Sequence, residues 1–203
     1  MLRLFVALRP PPAIRDLLAD AMDGVPYARW QDDEQLHLTL RFIGEVDRPQ
    51  GEDIAAMLAQ IHAPAPTIRI AGVGIFAHRG RADALWADVQ PQDALSHLHR
   101  KVDQACVRAG LPPERRAYRP HITLARIARS AGTGPEIDAW QARHAGLSSD
   151  PFVMTHLTLY QSHLGQGGAS YEPVMRWPLE PVRLMDKPAM PHDRNMTNRE
   201  LPI

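Results

Sequence analysis

Apolar positions along the chain follow two periods. Leu2 to Leu8 is an almost unbroken run of branched and aromatic residues closed by Pro10-Pro11-Pro12, which predicts a buried strand. Ile14, Leu17, Leu18, Ala21 and Met22 then fall at helical spacing until Gly24. His37 to Val46 predicts a second strand, and Ile54, Met57, Leu58 and Ile61 a second helix. Strand patterns return at Thr67 to Phe76 and Ala84 to Val89, parted by the charged turn His78-Arg79-Gly80-Arg81. A third helix carries Leu95, Leu98, Val102 and Cys106 on one face and stops at Gly110.

The order then recurs. Tyr118 to Ile127 reads as a strand, Ile137 to His144 as a short helix, and Phe152 to His163 as a long strand. A turn at Gly165 to Gly168 leads to a last strand at Tyr171 to Leu179. Residues 181–203 lack periodicity and are expected to be a mobile tail. Neighbouring strands at hairpin distance favour antiparallel pairing, hence an α+β fold over a doubly wound parallel sheet.

Composition narrows the classes. With 23 basic and 23 acidic side chains, the chain has no broad positive field for duplex DNA or an anionic membrane. All the basic residues except Lys101 and Lys187 are arginines, which suits phosphate binding but equally follows from a coding bias. The lone Cys106 precludes an internal disulfide and a CxxC zinc site and fits a reducing compartment. No run is long enough to span a membrane, and the first residues do not resemble a signal peptide. A cytoplasmic globular protein, expected to be monomeric, is the reading.

The chemistry lies in a repeated tetrapeptide. His37-Leu38-Thr39-Leu40 and His121-Ile122-Thr123-Leu124 both have the form His-x-Thr-x within strand patterns. On a strand, residues i and i+2 share a face, so each segment presents an imidazole and a hydroxyl while its aliphatic residues anchor the other side. Two imidazoles facing each other across a phosphodiester could exchange protons with the attacking and the leaving oxygen near neutral pH. Thr39 and Thr123 would donate to the non-bridging oxygens, where charge develops. This chemistry needs no metal and no cofactor. A third copy, His156-Leu157-Thr158-Leu159, lies inside a long strand pattern and is read as structural or peripheral.

The segments His37-Leu-Thr-Leu-Arg-Phe-Ile-Gly-Glu-Val46 and Arg119-Pro-His-Ile-Thr-Leu-Ala-Arg126 resemble the 2H phosphoesterase superfamily, and within it the bacterial RNA 2′,3′-cyclic phosphodiesterases formerly called 2′-5′ RNA ligases. Arg3-Leu-Phe-Val-Ala-Leu8, Gly74-Ile-Phe76 with Leu85-Trp86, and Gln161-Ser162 with Tyr171-Glu172 support the likeness. It covers residues 1–180 and implies one domain of two intertwined pseudo-symmetric lobes, with two antiparallel sheets flanking a V-shaped cleft and helices outside. It further implies hydrolysis of RNA-terminal 2′,3′-cyclic phosphate to a 2′-phosphate, with His37 as proton donor and His121 as proton acceptor. RNA ends would be the partner, and ligation the reverse direction.

Arg126 matches a family arginine at the phosphate, although strict alternation from His121 would turn it away, so a bulge or strand end is expected there. Arg41 has the parity of His37, which suits a substrate contact or a structural ion pair. Phe42 and Phe76 are candidates for base stacking or for core. Ala77-His78 replaces a proline frequent among relatives, so the rim loop should differ. Three alternatives stand beside this reading: a metallohydrolase, for which no HExxH or carboxylate-histidine cluster speaks, a non-catalytic RNA-end binder, and a phosphodiesterase for another small cyclic nucleotide.

Overall fold

The computed structural model describes residues 1–128, 134–165 and 168–181. The expected tail, beyond its first residue, lies outside these. The strands are β1 Leu2–Leu8, β2 Ala28–Trp30, β3 Leu38–Val46, β4 Thr67–His78, β5 Arg81–Gln90, β6 His121–Ile127, β7 Phe152–Val153, β8 His156–Gly165 and β9 Gly168–Pro178. Among the described residues four α-helices accompany them: α1 Pro12–Ala19, α2 Arg48–Leu58, α3 Asp93–Arg108 and α4 Pro135–His144.

Every strand pairing is antiparallel, in the order β7-β4-β5-β6-β3-β1-β8-β9, with β2 added on β6. The two sheets of the sequence reading are thus two halves of one sheet. They meet where Leu38 of β3 pairs with Ile122 of β6, the second residue of each His-x-Thr-x segment. Outward from this seam each half repeats the same order, a motif strand, its antiparallel neighbour, and two further strands.

The pattern predicted one strand over Phe152 to His163. Instead the backbone breaks at Met154 and Thr155, because β7 pairs with β4 and β8 pairs with β1 on the opposite flank. Two residues span only about 7 Å, so the sheet must bend until its flanks approach. Backbone bonds close the gap: Met154 N–H to Pro66 O at 3.0 Å, and Glu180 N–H to Ala63 O at 2.9 Å.

One face of the bent sheet packs the helices. Leu4, Val6, Leu8, Leu38, Ile122 and Leu124 join Ile54, Leu58, Leu95, Leu98 and Val102 from α2 and α3 in one buried cluster. The alternate residues of β1, Phe5 and Ala7, form a second cluster with Tyr160 on the other face. Strand β1 is therefore buried on both sides, which is why its sequence shows no alternation.

Boundaries moved where local bonding overrode periodicity. Helix α1 stops at Ala19 although the pattern ran to Met22, and Tyr118–Pro120 lies outside β6. The short β2 and a single 3₁₀ turn at Asp33–Gln35 had no periodic signal. The β4–β5 connection is tighter than predicted: Arg79 and Gly80, both at positive φ, make a two-residue hairpin turn whose twist matches the flanking strands.

Candidate active site

Carrying the Leu38–Ile122 register one residue either way sets His37 against Thr123 and Thr39 against His121. The four side chains share the face opposite the helices, while Leu38 and Ile122 beneath them have no exposed surface. Diagonal neighbours across such a pair sit about 7–8 Å apart, room for one tetrahedral anion between the ring edges. All four line a cavity of about 510 Å³.

Each imidazole is oriented in the same way. The Nδ1–H of His37 donates to the Gln35 carbonyl at 2.6 Å, and that of His121 to the Arg119 carbonyl at 2.7 Å. A carbonyl can only accept, so Nδ1 carries the proton in both rings and Nε2 is left toward the cavity. The Gln35 carbonyl is itself placed by a capping box. Asp32 accepts from the Gln35 N–H at 2.9 Å, and Gln35 Oε1 accepts from the Asp32 N–H at 3.2 Å. The Gln35 amide also donates to Ala169 O on β9 at 2.6 Å, and Arg9 and Arg15 both grip Asp33. The signature Asp-x-x-Gln was visible in the sequence, and it signals this loop.

Aromatic rings support both histidines. His37 lies 4.9 Å from Phe5 and meets the edge of Tyr171 at 5.1 Å. His121 meets Phe76 edge-on at 4.7 Å, and Phe76 stacks on Trp86. Trp86 can lie flat across β4 only because residue 74 is glycine, since a Cβ there would collide with the indole. This desolvation pushes the His37 pKa down to about 4, with Arg126 and His121 adding repulsion. Burial also lowers His121, helped by Arg126 and Arg119 and opposed by its bond to the Arg119 carbonyl and by Asp88. Both shifts favour the neutral ring in the free protein.

Two bulges decide what else faces the cavity. In β6, Leu85 pairs with Ala125 but Trp86 pairs with Thr123, so Leu124 is an extra residue. Leu124 and Ala125 are both buried and Arg126 returns to the cavity, as the expected bulge required. In β3, Val6 pairs with Arg41 but Ala7 pairs with Thr39, so Leu40 is the extra residue there. The fourth residue of each motif thus bulges, and Phe42 occupies the place in its half that Arg126 occupies in the other.

That second bulge corrects the reading of Arg41 as a substrate contact. The parity count assumed a regular strand, whereas the bulge turns Arg41 to the helix side, where it is 6% exposed. There it pairs with Asp103 of α3 and donates to Pro112 O at 2.6 Å. Asp103 also accepts from the Glu114 N–H at 3.0 Å. His99 of α3 donates from Nδ1 to the Leu40 carbonyl at 2.7 Å and stacks on Tyr118 with centroids 4.1 Å apart. Phe42, in contrast, lines the cavity and is 63% exposed, and Phe76 lines it from β4.

The structure therefore brings together His37, Thr39, Phe42, Phe76, His121, Thr123 and Arg126, and leaves Arg41 out. His156 does not line this cavity. It sits at the start of β8 opposite Pro178, 2.8 Å from the Thr155 hydroxyl and 3.1 Å from Arg176. Gln31, Arg3, Ser162 and Tyr171 line the cavity too. Arg3, Ser162 and Tyr171 stand in segments that carried the family likeness, whereas Gln31 had drawn no notice.

A tetrahedral anion placed here would meet two proton carriers on opposite sides, two hydroxyl donors and a guanidinium. The family model described as "2'-5' RNA ligase superfamily" matches residues 10–166. The chain belongs to this superfamily. An "RNA 2',3'-cyclic phosphodiesterase" of Escherichia coli (strain K12) is 30% identical over 87% of this chain and 96% of its own length. Its counterpart from Aeropyrum pernix is 36% identical over 78% of this chain and 89% of its own. The chain spans about half, 52%, of a Geobacillus stearothermophilus relative with the same name, at 30% identity over 82% of this chain. Among solved superfamily structures, E. coli LigT complexed with 3'-AMP superposes with a TM-score of 0.70 at 29% identity, covering 88% of this chain and 98% of that one.

Proposed function

We propose that this protein is a phosphodiesterase that opens the terminal 2′,3′-cyclic phosphate of RNA to a 2′-phosphomonoester through the opposed pair His37 and His121. The single observation that carries this reading is the seam pairing of Leu38 with Ile122, which puts two identically tethered imidazoles on one face around one cavity. The names of the relatives supply the substrate class.

In this reading His121 Nε2 takes a proton from water as its oxygen attacks phosphorus. His37 Nε2 gives a proton to the departing 3′ oxygen on the opposite side, so the 2′ oxygen keeps the phosphate. The Nδ1–H bonds to the Gln35 and Arg119 carbonyls strengthen as each ring gains charge. Thr39, Thr123 and Arg126 hold the non-bridging oxygens where negative charge accumulates. The phosphodiester's own charge offsets the burial and the Arg126 repulsion, and this is how His37 acquires its proton. A 5′-hydroxyl in place of water runs the same step toward a 2′-5′ linkage.

An oligonucleotide ending in a 2′,3′-cyclic phosphate, incubated with the purified protein and a chelator, tests this. The predicted product is the 2′-phosphate alone. A 3′-phosphate reverses the leaving group, and loss of turnover with chelator turns the case toward a metallohydrolase. Binding without turnover leaves the RNA-end binder.

A further inference from the structure

Past Phe42 and Phe76 the cavity opens into a second groove of about 720 Å³. The two share Thr39, Phe42, Phe76 and His121, and the groove continues along the segment from Glu114 to Arg119. We propose that this groove binds the nucleotide preceding the RNA terminus, with its base against Phe42 and Phe76 and its phosphate beside Arg116 and Arg119. The inference rests on the function proposed above and extends it from a terminal phosphate to a strand of single-stranded RNA.

Charge, shape and continuity all favour this occupant. Of the three arginines around the groove, Arg41 lies buried beneath it and is matched by Asp103, which leaves Arg116 and Arg119 to face an occupant. The Glu114 carboxylate is engaged by the backbone N–H groups of Arg115 and Arg116, at 2.9 and 3.0 Å. Arg119 lies over Trp86 at 4.5 Å and Phe76 at 5.6 Å, so its guanidinium is held as a flat cation at the groove wall. Arg116 is exposed beside it. The groove thus keeps positive charge on a chain with none to spare overall. Phe42 stands at the lip between both cavities, its ring offered to whatever crosses. Exposed aromatic faces next to arginines are what a single strand stacks and tracks along.

Among the described residues, another route leads past Arg3 into a cavity of about 320 Å³. That route carries the Glu45 carboxylate and no Phe, Tyr or Trp. His163 on its wall is engaged by Glu172 at 3.2 Å. Its one arginine, Arg3, is offset by the Glu45 carboxylate in the same lining, and it offers a base no ring.

The test compares kcat/KM for a 2′,3′-cyclic mononucleotide with that for a dinucleotide of the same terminal base. The second nucleotide should raise kcat/KM on the order of tenfold in the unaltered protein, and less so in high salt. Arg116→Glu and Ala117→Asp, made separately, each put a carboxylate in the groove. Each should remove most of that gain while turnover of the mononucleotide and thermal unfolding stay unchanged. A gain that survives both substitutions overturns the proposal, as does a gain abolished by Arg3→Glu instead. No turnover of either substrate would overturn the proposed function itself, a result distinct from a missing gain.

Discussion

At the scale of single residues, the proposed mechanism has two weak bases held neutral until an anion arrives. Aromatic burial and Arg126 both disfavour the imidazolium, and the carbonyl tethers oppose them only in part. These shifts fix the sign of the pH dependence. The proposed mechanism requires one neutral and one charged ring, and in the free protein burial shifts protonation of both below the usual histidine value of about 6.5. The kcat/KM profile, which reports the free protein, should peak on the acid side of 6.5 and decline as pH rises, with apparent values that belong to the pair. The kcat profile, measured with the anion bound, should lie at higher pH. A kcat/KM plateau extending above pH 8 would contradict this electrostatic account.

At the scale of the strand, two bulges set the inventory of the site. Leu40 and Leu124 each insert one residue directly after the motif threonine, and each flips the parity of the next residues, in β3 as far as Phe42, where a further shift at Ile43 intervenes. Arg126 and Arg41 therefore have opposite fates, and their replacements should separate cleanly. Arg126→Ala should raise KM and lower kcat with little change in unfolding, because Arg126 is exposed at the cavity. Arg41→Ala leaves Asp103 without its partner beneath the sheet, at a cost of about 3 kcal/mol in urea unfolding. Equal stability losses in the two variants would mean that the bulge assignment is wrong.

The same bulges mark how far the sequence could be read. The tetrapeptides, their facing and the aliphatic anchors followed from a period of two. The bulge in β6 could be anticipated because a family arginine had to reach the phosphate. Nothing comparable flagged Leu40, so parity left Arg41 open between a substrate contact and a structural ion pair, and Phe42 open between base stacking and core. A bulge is stabilised by tertiary partners, here the His99 bond to the Leu40 carbonyl, and His99 is 59 residues away. The break at Met154–Thr155 was equally silent, since a bend between two flanks leaves the apolar run intact. The capping pair Asp32 and Gln35 went unread in the sequence, and the Gln35 carbonyl's hold on His37 needed the fold.

At the scale of the whole molecule, one bent sheet makes the two half-sites a single rigid body. The seam is narrow, one residue pair, yet His99 on α3 ties Leu40 in one half to Tyr118, just ahead of Arg119 and His121 in the other. The flanks converge behind the seam, and the cleft opens on the face that the helices leave free. With neutral overall charge, the proposed recognition falls to local groups, Arg126 at the phosphate and Arg116 and Arg119 along the groove. The central claim is that the paired imidazoles at the seam, and not the third copy of the motif, carry the chemistry. The most direct measurement is the turnover of an RNA 2′,3′-cyclic phosphate by His37→Ala, His121→Ala and His156→Ala, each with its thermal unfolding recorded. The first two should each lose roughly 10²–10⁴-fold in rate while remaining folded, and the third should retain its rate. A folded His37→Ala or His121→Ala variant with undiminished turnover, or a folded His156→Ala variant without turnover, would contradict the account.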